Sequence, residues 1–157
     1  MFAGSFDPPT LGHMDIVKRA SVLFDHLHVV IAVNPEKRCL FSVEERRQLL
    51  LQLTSSLENV TVHTWGGYSV EFARQNDIGV MIRGMRSEND YNYEYSMACM
   101  NRRLLPGIET LIVPAEPQYS EISSSLIKRY AKAGRNIENL VPPEVVLKMT
   151  EKLKLLT

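Results

Sequence analysis

Ten residues near the start of the chain leave few folds open: Gly4-Ser5-Phe6-Asp7-Pro8-Pro9-Thr10-Leu11-Gly12-His13, directly after the apolar stub Met1-Phe2-Ala3. An extended apolar run enters a turn dense in Gly and Pro, and a helical period follows with Ile16, Val17, Ala20, Leu23 and Phe24 on one face. Thr10 reads as the N-cap of that helix. A strand delivering the chain to a helix N-terminus puts free backbone N–H groups above the strand's end. The helix dipole and those donors favour an anion there, and His13 adds an imidazole to the same turn. A phosphate-binding αβ unit is the reading these residues support.

The rest of the chain repeats the pattern. Leu27 to Val33 is a second strand, and Asn34-Pro35-Glu36-Lys37-Arg38 breaks it as a polar loop. Ser42-Val43-Glu44-Glu45 is a capping box, opening a helix that turns Leu49, Leu50 and Leu53 inward. Val60 to Trp65 is a third strand, Gly66-Gly67 a turn, and Val70 to Gln75 a short helix. Val80 to Ile82 reads as a short buried strand, with Arg83-Gly84-Met85-Arg86 leaving its carboxyl end. Asp90 to Leu105 is a helix stopped by Pro106-Gly107, and Glu109 to Pro114 is the last strand. Ser123 to Ala133 is a helix ended by Gly134. Pro142-Pro143-Glu144 starts a final helix with Val145, Val146, Met149, Leu153 and Leu156 on its apolar side. Strand and helix alternate five times before the extra helix. This predicts one α/β domain over residues 1–157, Rossmann-like, with a five-stranded parallel sheet and helices on both faces. Ligands of such sheets sit beyond the carboxyl ends of the strands, so segments after the first, second, fourth and fifth strands are expected to share one cleft.

A chain of 157 residues can bury a sizeable core. Its formal net charge is zero, so no global field draws it to nucleic acid or to an anionic membrane. No apolar run approaches the roughly 20 residues a membrane span needs. Cys39 and Cys99 have no metal-ligand spacing, and free thiols in a reducing cytoplasm are expected. The run before Gly4 is shorter than the usual five or six residues of a strand, which leads us to expect a start a few residues upstream in the natural sequence.

Several side chains carry chemistry. His13 stands apart from His26, His28 and His63, which read as surface or strand residues without metal-binding spacing. Arg83 and Arg86 flank Gly84-Met85 where an apolar strand ends, and guanidinium forks match phosphate oxygens. Lys37 and Arg38 matter only if their loop folds over the cleft. Ser123-Ser124-Ser125 is a serine-rich N-cap and a second helix N-terminus that can face phosphates. Tyr91 and Tyr95 share a helix face, which points to packing, and periodicity leaves open whether Glu94 faces a ligand.

Taken in order, G-S-F-D-P-P-T-x-G-H, N-P-x-K, I-R-G-M-R, Y-N-Y-E and Y-S-x-I-S-S-S-L-I-K span essentially the whole chain. With them the sequence closely resembles bacterial phosphopantetheine adenylyltransferases, members of the nucleotidyltransferase superfamily marked by T/H-x-G-H. The resemblance implies transfer of AMP from ATP to phosphopantetheine, giving dephospho-coenzyme A and pyrophosphate, with Mg²⁺ carried by ATP. It also implies a cytoplasmic homohexamer inhibited by coenzyme A. On this resemblance Ser5 touches both substrates, Phe6 touches ATP, and His13 grips the α-phosphate. Lys37 bridges the attacking phosphate and the α-phosphate, and Arg83 holds the phosphopantetheine phosphate. Gly84, Met85, Arg86 and Glu94 line the ATP site. Tyr119, Ser120, Glu121, Ile122, Ser123, Ser124 and Ser125 cover the adenine and the triphosphate. His13, Lys37 and Arg86 are the implied catalytic set. The family commonly has an apolar residue where this chain has Tyr68; with Ser69 that segment is expected along the pantetheine arm.

Two other readings remain at this stage. One is another small nucleotidyltransferase, acting on nicotinamide mononucleotide or glycerol phosphate; Arg83 to Arg86 and Tyr93-Glu94 argue against it. The other is a catalytically silent nucleotide-binding module, against which His13, Lys37, Arg83 and Arg86 all stand.

Overall fold

The computed structural model describes residues 1–155, apart from the side chain of Asn89, so Leu156 lies outside the described residues. Five strands, β1 (Phe2–Gly4), β2 (Leu27–Ala32), β3 (Val60–Trp65), β4 (Val80–Met85) and β5 (Glu109–Pro114), form one sheet in the order β3-β2-β1-β4-β5. Every pairing is parallel. Six α-helices connect and cover them: α1 (Leu11–Leu23), α2 (Val43–Leu53), α3 (Ser69–Gln75), α4 (Glu88–Leu104), α5 (Ser124–Lys132) and α6 (Pro143–Lys154).

The alternation along the strands divides the core between the two faces. Phe2, Val29, Ile31 and Ile82 join Met14, Ile16, Val17 and Leu50 on the α1 and α2 side. Met1, Ala3, Val30 and Met81 join Val70, Phe72, Ala73 and Ile108 on the other. A third cluster joins Phe41 and Leu49 to Ile122, Ile127, Val145 and Met149, which docks α5 and α6 beside α2. Strand β1 is short but central, with Phe2 opposite Val29 on one side and Ile82 on the other. Since the chain builds outward to β3 from one edge of β1 and crosses to β4 at the other, the connections diverge between β1 and β4, leaving a crevice at their carboxyl ends.

The structure departs from the sequence expectations in four places. β4 continues through Arg83, Gly84 and Met85, because β5 supplies parallel partners as far as Pro114, opposite Met85. α4 starts at Glu88, where the Ser87 hydroxyl accepts from Asp90 N–H. Leu23 is 67 % exposed; the chain leaves α1 in extended backbone at Phe24, which packs against the core instead. Tyr91 and Tyr95 stack on each other with ring centroids 6.2 Å apart, but both are exposed rather than packed inward. Among the described residues no helix is long and apolar enough to cross a membrane.

Candidate active site

The crevice at the ends of β1 and β4 holds a cavity of about 280 Å³. Its floor is Ala3, Gly4 and Ser5, one wall is Gly12, His13 and Ile16 of α1, and the opposite wall is Arg83 to Arg86 with Glu94. Tyr119, Ile122, Ser123 and Ser124 close it from the α5 side.

The α1 cap prepares one end of the site. The Thr10 hydroxyl accepts from His13 N–H at 3.1 Å, and His13 Nδ1 accepts from Thr10 N–H at 3.1 Å. An imidazole thus takes the capping-box place usually held by a Glu or Gln side chain. With Nδ1 accepting, the neutral ring carries its proton on Nε2, which is left to donate. Burial, then the Arg86 guanidinium, hold the imidazole down at about 4. His13 therefore acts in the free cleft as a neutral donor.

The opposite wall holds paired charges. Arg83 donates to Glu94 through Nε at 2.6 Å and Nη2 at 2.9 Å, and through Nη1 to Ala3 O at 3.1 Å. The fork fixes the guanidinium beside the end of β1. Arg86 pairs with Asp90, Nε to Oδ2 at 3.0 Å, and reaches Ile122 O with Nη1 at 3.2 Å. It thereby ties the start of α4 to the segment ahead of α5. Gly84 lies close to α1: a Cβ there would lie 2.5 Å from Ile16 Cδ1, the tip of a side chain that would have to turn aside.

The loop after β2 does fold over the cleft, with Lys37 Nζ 2.8 Å from Ser5 Oγ. Asp7 holds it there. Its buried carboxylate accepts from Leu40 N–H and Phe41 N–H, each at 2.9 Å, and from Lys128 Nζ of α5 at 2.7 Å. Burial alone raises the Asp7 carboxyl, but the bonds from Lys128, Phe41 and Leu40 outweigh it and leave the group below its ordinary value. Arg46 of α2, also buried, donates to Ser5 O at 2.8 Å.

Of the residues expected at a site, Ser5, His13, Arg83, Gly84, Met85, Arg86, Glu94, Tyr119, Ile122, Ser123 and Ser124 converge on this one cavity. Lys37 reaches it through Ser5. The Phe6 ring, only 1 % exposed, lies in the core edge-on to Phe2 and to the His13 imidazole, and does not line the cavity. Ser120 bonds Pro117 O, Glu121 is exposed, and Ser69 starts α3. Ser125 lies on the outer side of α5, in a separate groove. The sequence alone does not mark Asp7, Arg46 or Asp90 as site residues, because nothing in a capped helix or a turn shows which charged residue becomes a strut. Among the described residues no group of three or more His, Cys, Asp or Glu side chains is placed to hold a metal ion.

Comparison with known proteins shows the family and the fold. The cytidylyltransferase-like family model matches residues 1–130. A phosphopantetheine adenylyltransferase of Clostridium tetani is 47% identical over 93% of this chain and 91% of its own length. Relatives of the same name from Thermotoga neapolitana and Streptomyces coelicolor are each 44% identical, covering 98% and 96% of this chain and 96% and 94% of their own. The solved structure of a putative nicotinate-nucleotide adenylyltransferase from Vibrio parahaemolyticus superposes with a TM-score of 0.68. It covers 97% of this chain and 88% of its own, and at 16% identity it shares the fold. Relatives matched along nearly their whole length place this chain in the phosphopantetheine adenylyltransferase family.

Proposed function

We propose that the cleft transfers the adenylyl group of ATP to the phosphate of phosphopantetheine, yielding dephospho-coenzyme A and pyrophosphate. The observation that carries this is the convergence of two helix N-termini, α1 and α5, with His13, Arg83 and Arg86 around one cavity between β1 and β4. The arrangement suits two anions brought together over a phosphorus atom.

A phosphate oxygen of phosphopantetheine attacks the α-phosphorus of ATP. The bond from that phosphorus to the β-bridging oxygen breaks, and pyrophosphate leaves with the electron pair. No covalent enzyme intermediate is needed, because the attacking phosphate is already a competent nucleophile. The protein's work is to align attacker and leaving group and to offset anion–anion repulsion. His13 Nε2–H donates to the α-phosphate, Lys37 spans attacking and attacked phosphates from its post on Ser5, and Arg86 faces the triphosphate. Arg83 holds the phosphopantetheine phosphate. Magnesium enters with the nucleotide as MgATP.

Pyrophosphate release with ATP and phosphopantetheine tests this, with nicotinate and nicotinamide mononucleotides as the competing acceptors. Turnover confined to the mononucleotides would overturn it. Three finer statements belong to the same reading. Coenzyme A, close in chemistry to the product, is expected to inhibit at this cleft. Cys39 and Cys99 are free thiols, in keeping with a cytoplasmic enzyme. Tyr93, Tyr95, Met100 and Leu104 of α4 and Leu111 of the edge strand β5 are exposed, which supports burial in a homohexamer. Light scattering should then give several times the 17.9 kDa chain mass.

A further inference from the structure

On the outer side of α5 lies a second concavity, a groove of about 500 Å³ walled by Arg38 and Leu40 on one side and by Ser125, Lys128, Arg129 and Lys132 on the other. Four cationic residues line it, and among the described residues no carboxylate does, in a chain whose formal net charge is zero. Lys128 is neutralised by Asp7 at 2.7 Å. Among the described residues, the side chains of Arg38, Arg129 and Lys132 have no ion pair or hydrogen bond. Charges of one sign left unpaired around a hollow repel one another, and an anion in the hollow relieves that repulsion.

Both walls continue the walls of the active-site cavity. Ser123 and Ser124 close the cavity, and Ser125, one residue further along α5, lines the groove. Lys37 reaches Ser5 on the cavity floor, and Arg38 follows it in the loop. Asp7 joins the two walls through Leu40 N–H and Lys128 Nζ. The cavity and the groove thus lie one residue apart along α5 and along the loop after β2.

We propose that this groove binds released pyrophosphate and guides it between the cleft and solvent. The inference rests on the adenylyl-transfer reading. ATP is anchored in the cavity through its nucleoside, whereas pyrophosphate has no tether once the bond to the α-phosphorus is broken. It then shares the cavity with a second anionic product. An adjoining cationic channel supplies the downhill path, and in the reverse direction it concentrates pyrophosphate at the cleft. Arg38, Arg129 and Lys132 are product-binding residues with no part in the chemical step.

The test runs the reaction backwards, forming ATP from dephospho-coenzyme A and pyrophosphate, with the wild-type chain and with Arg129→Glu/Lys132→Glu. Both side chains are exposed, and melting curves check folding. The KM for pyrophosphate should rise by about tenfold or more in the variant at low salt, within the range steering supplies. The wild-type KM should climb toward the variant's as salt shortens the screening length from about 10 Å at 0.1 M to about 3 Å at 1 M. The forward KM for ATP should change by less than about twofold, since ATP is held elsewhere. Arg38→Ala, on the facing wall, should move the pyrophosphate KM in the same direction, and it carries the test if the double variant does not fold. An unmoved pyrophosphate KM overturns the proposal, as does an ATP KM that rises by the same factor. Inhibition by coenzyme A that weakens while pyrophosphate is unaffected also overturns it, because the groove would then serve a phosphate ester instead. If the wild-type chain forms no ATP, the adenylyl-transfer reading fails, and calorimetric titration of pyrophosphate into both proteins still reads the groove. A signal lost in the variant supports it, and equal signals overturn it.

Discussion

His13 Nδ1 lies 3.1 Å from Thr10 N and 2.9 Å from Thr10 Oγ1, so the imidazole facing the cleft also closes the cap of its own helix. The contact fixes the tautomer that leaves Nε2–H free to donate. His13→Ala should lower kcat by about a hundredfold or more, the usual loss when one preorganised donor is removed. It should also cost about 1 kcal/mol of capping, or about 2–4 °C of melting temperature in a domain of this size. Thr10→Ala should weaken both, and Thr10→Ser should restore both. Steady-state kinetics and thermal melting on the three variants check this; near-normal turnover in His13→Ala would remove its catalytic role.

Arg83 and Glu94 should separate binding from stability. Arg83→Ala removes the phosphopantetheine clamp and strands the buried Glu94 carboxylate. Breaking a fully buried pair costs about 3–5 kcal/mol; the cost is smaller here because the Arg83 side chain is 26 % exposed. Adding Glu94→Gln should recover much of the stability while phosphopantetheine affinity stays lost. Arg86→Ala should mainly weaken ATP. Calorimetric titration of both ligands distinguishes these effects, and an unchanged phosphopantetheine affinity in Arg83→Ala would refute the division.

Gly84→Ala should destabilise by about 0.5–1.5 kcal/mol, the cost of turning the Ile16 tip, which borders the cavity, off its rotamer. Ile16→Val deletes that Cδ1 atom and alone costs about 0.5–1.5 kcal/mol. The double variant should be more stable than the sum of the two losses, which denaturant unfolding of the four proteins in the cycle measures. Simple additivity would show that α1 and β4 do not meet through this atom pair.

Acid should weaken the fold in a defined window. His28 is held down at about 4 by burial and by His26, His63 and the amino terminus, and His13 is held at about 4 as well. His63, which shares the Thr61 hydroxyl with His28, is also lowered, by burial and His26. Above pH 6.5 these imidazoles are neutral in folded and unfolded chains alike, and nothing is lost. Between about 6.5 and about 4 the unfolded chain takes up protons that the folded chain refuses, so stability falls as pH falls. Asp7 acts lower: its depressed carboxyl stabilises the fold above its ordinary value of 3.8 and stops doing so as pH drops below it. Melting temperatures from pH 8 to 4 should show the decline, and His28→Gln should make it shallower between about 6.5 and about 4. A flat wild-type profile would contradict the half-buried, neutral histidines.

Local chemistry wrote much of this protein directly into its sequence. The Gly-Pro turn, the Thr10 and Ser42 caps, the alternating apolar runs of β2 and β3 and the order of elements all follow from contacts within a few residues, and a linear reading reaches them. So does the family, because motifs at family spacing run along the whole chain. Other features depend on residues far apart in sequence. β4 extends to Met85 because Pro114 lies beside it, and the Tyr91 and Tyr95 rings are exposed because no element among the described residues covers that face. Asp7 reads as an ordinary turn carboxylate until Lys128 arrives 121 positions later. Arg46 reads as a solvated helix residue until its Nη1 donates to Ser5 O. Residue type and short-range period determine which groups can bind phosphate and which segments can be strand or helix. Only tertiary packing decides which charges are paired and fixed and which, like Arg38, Arg129 and Lys132, stay free to meet an anion, since pairing depends on distances that no local pattern encodes.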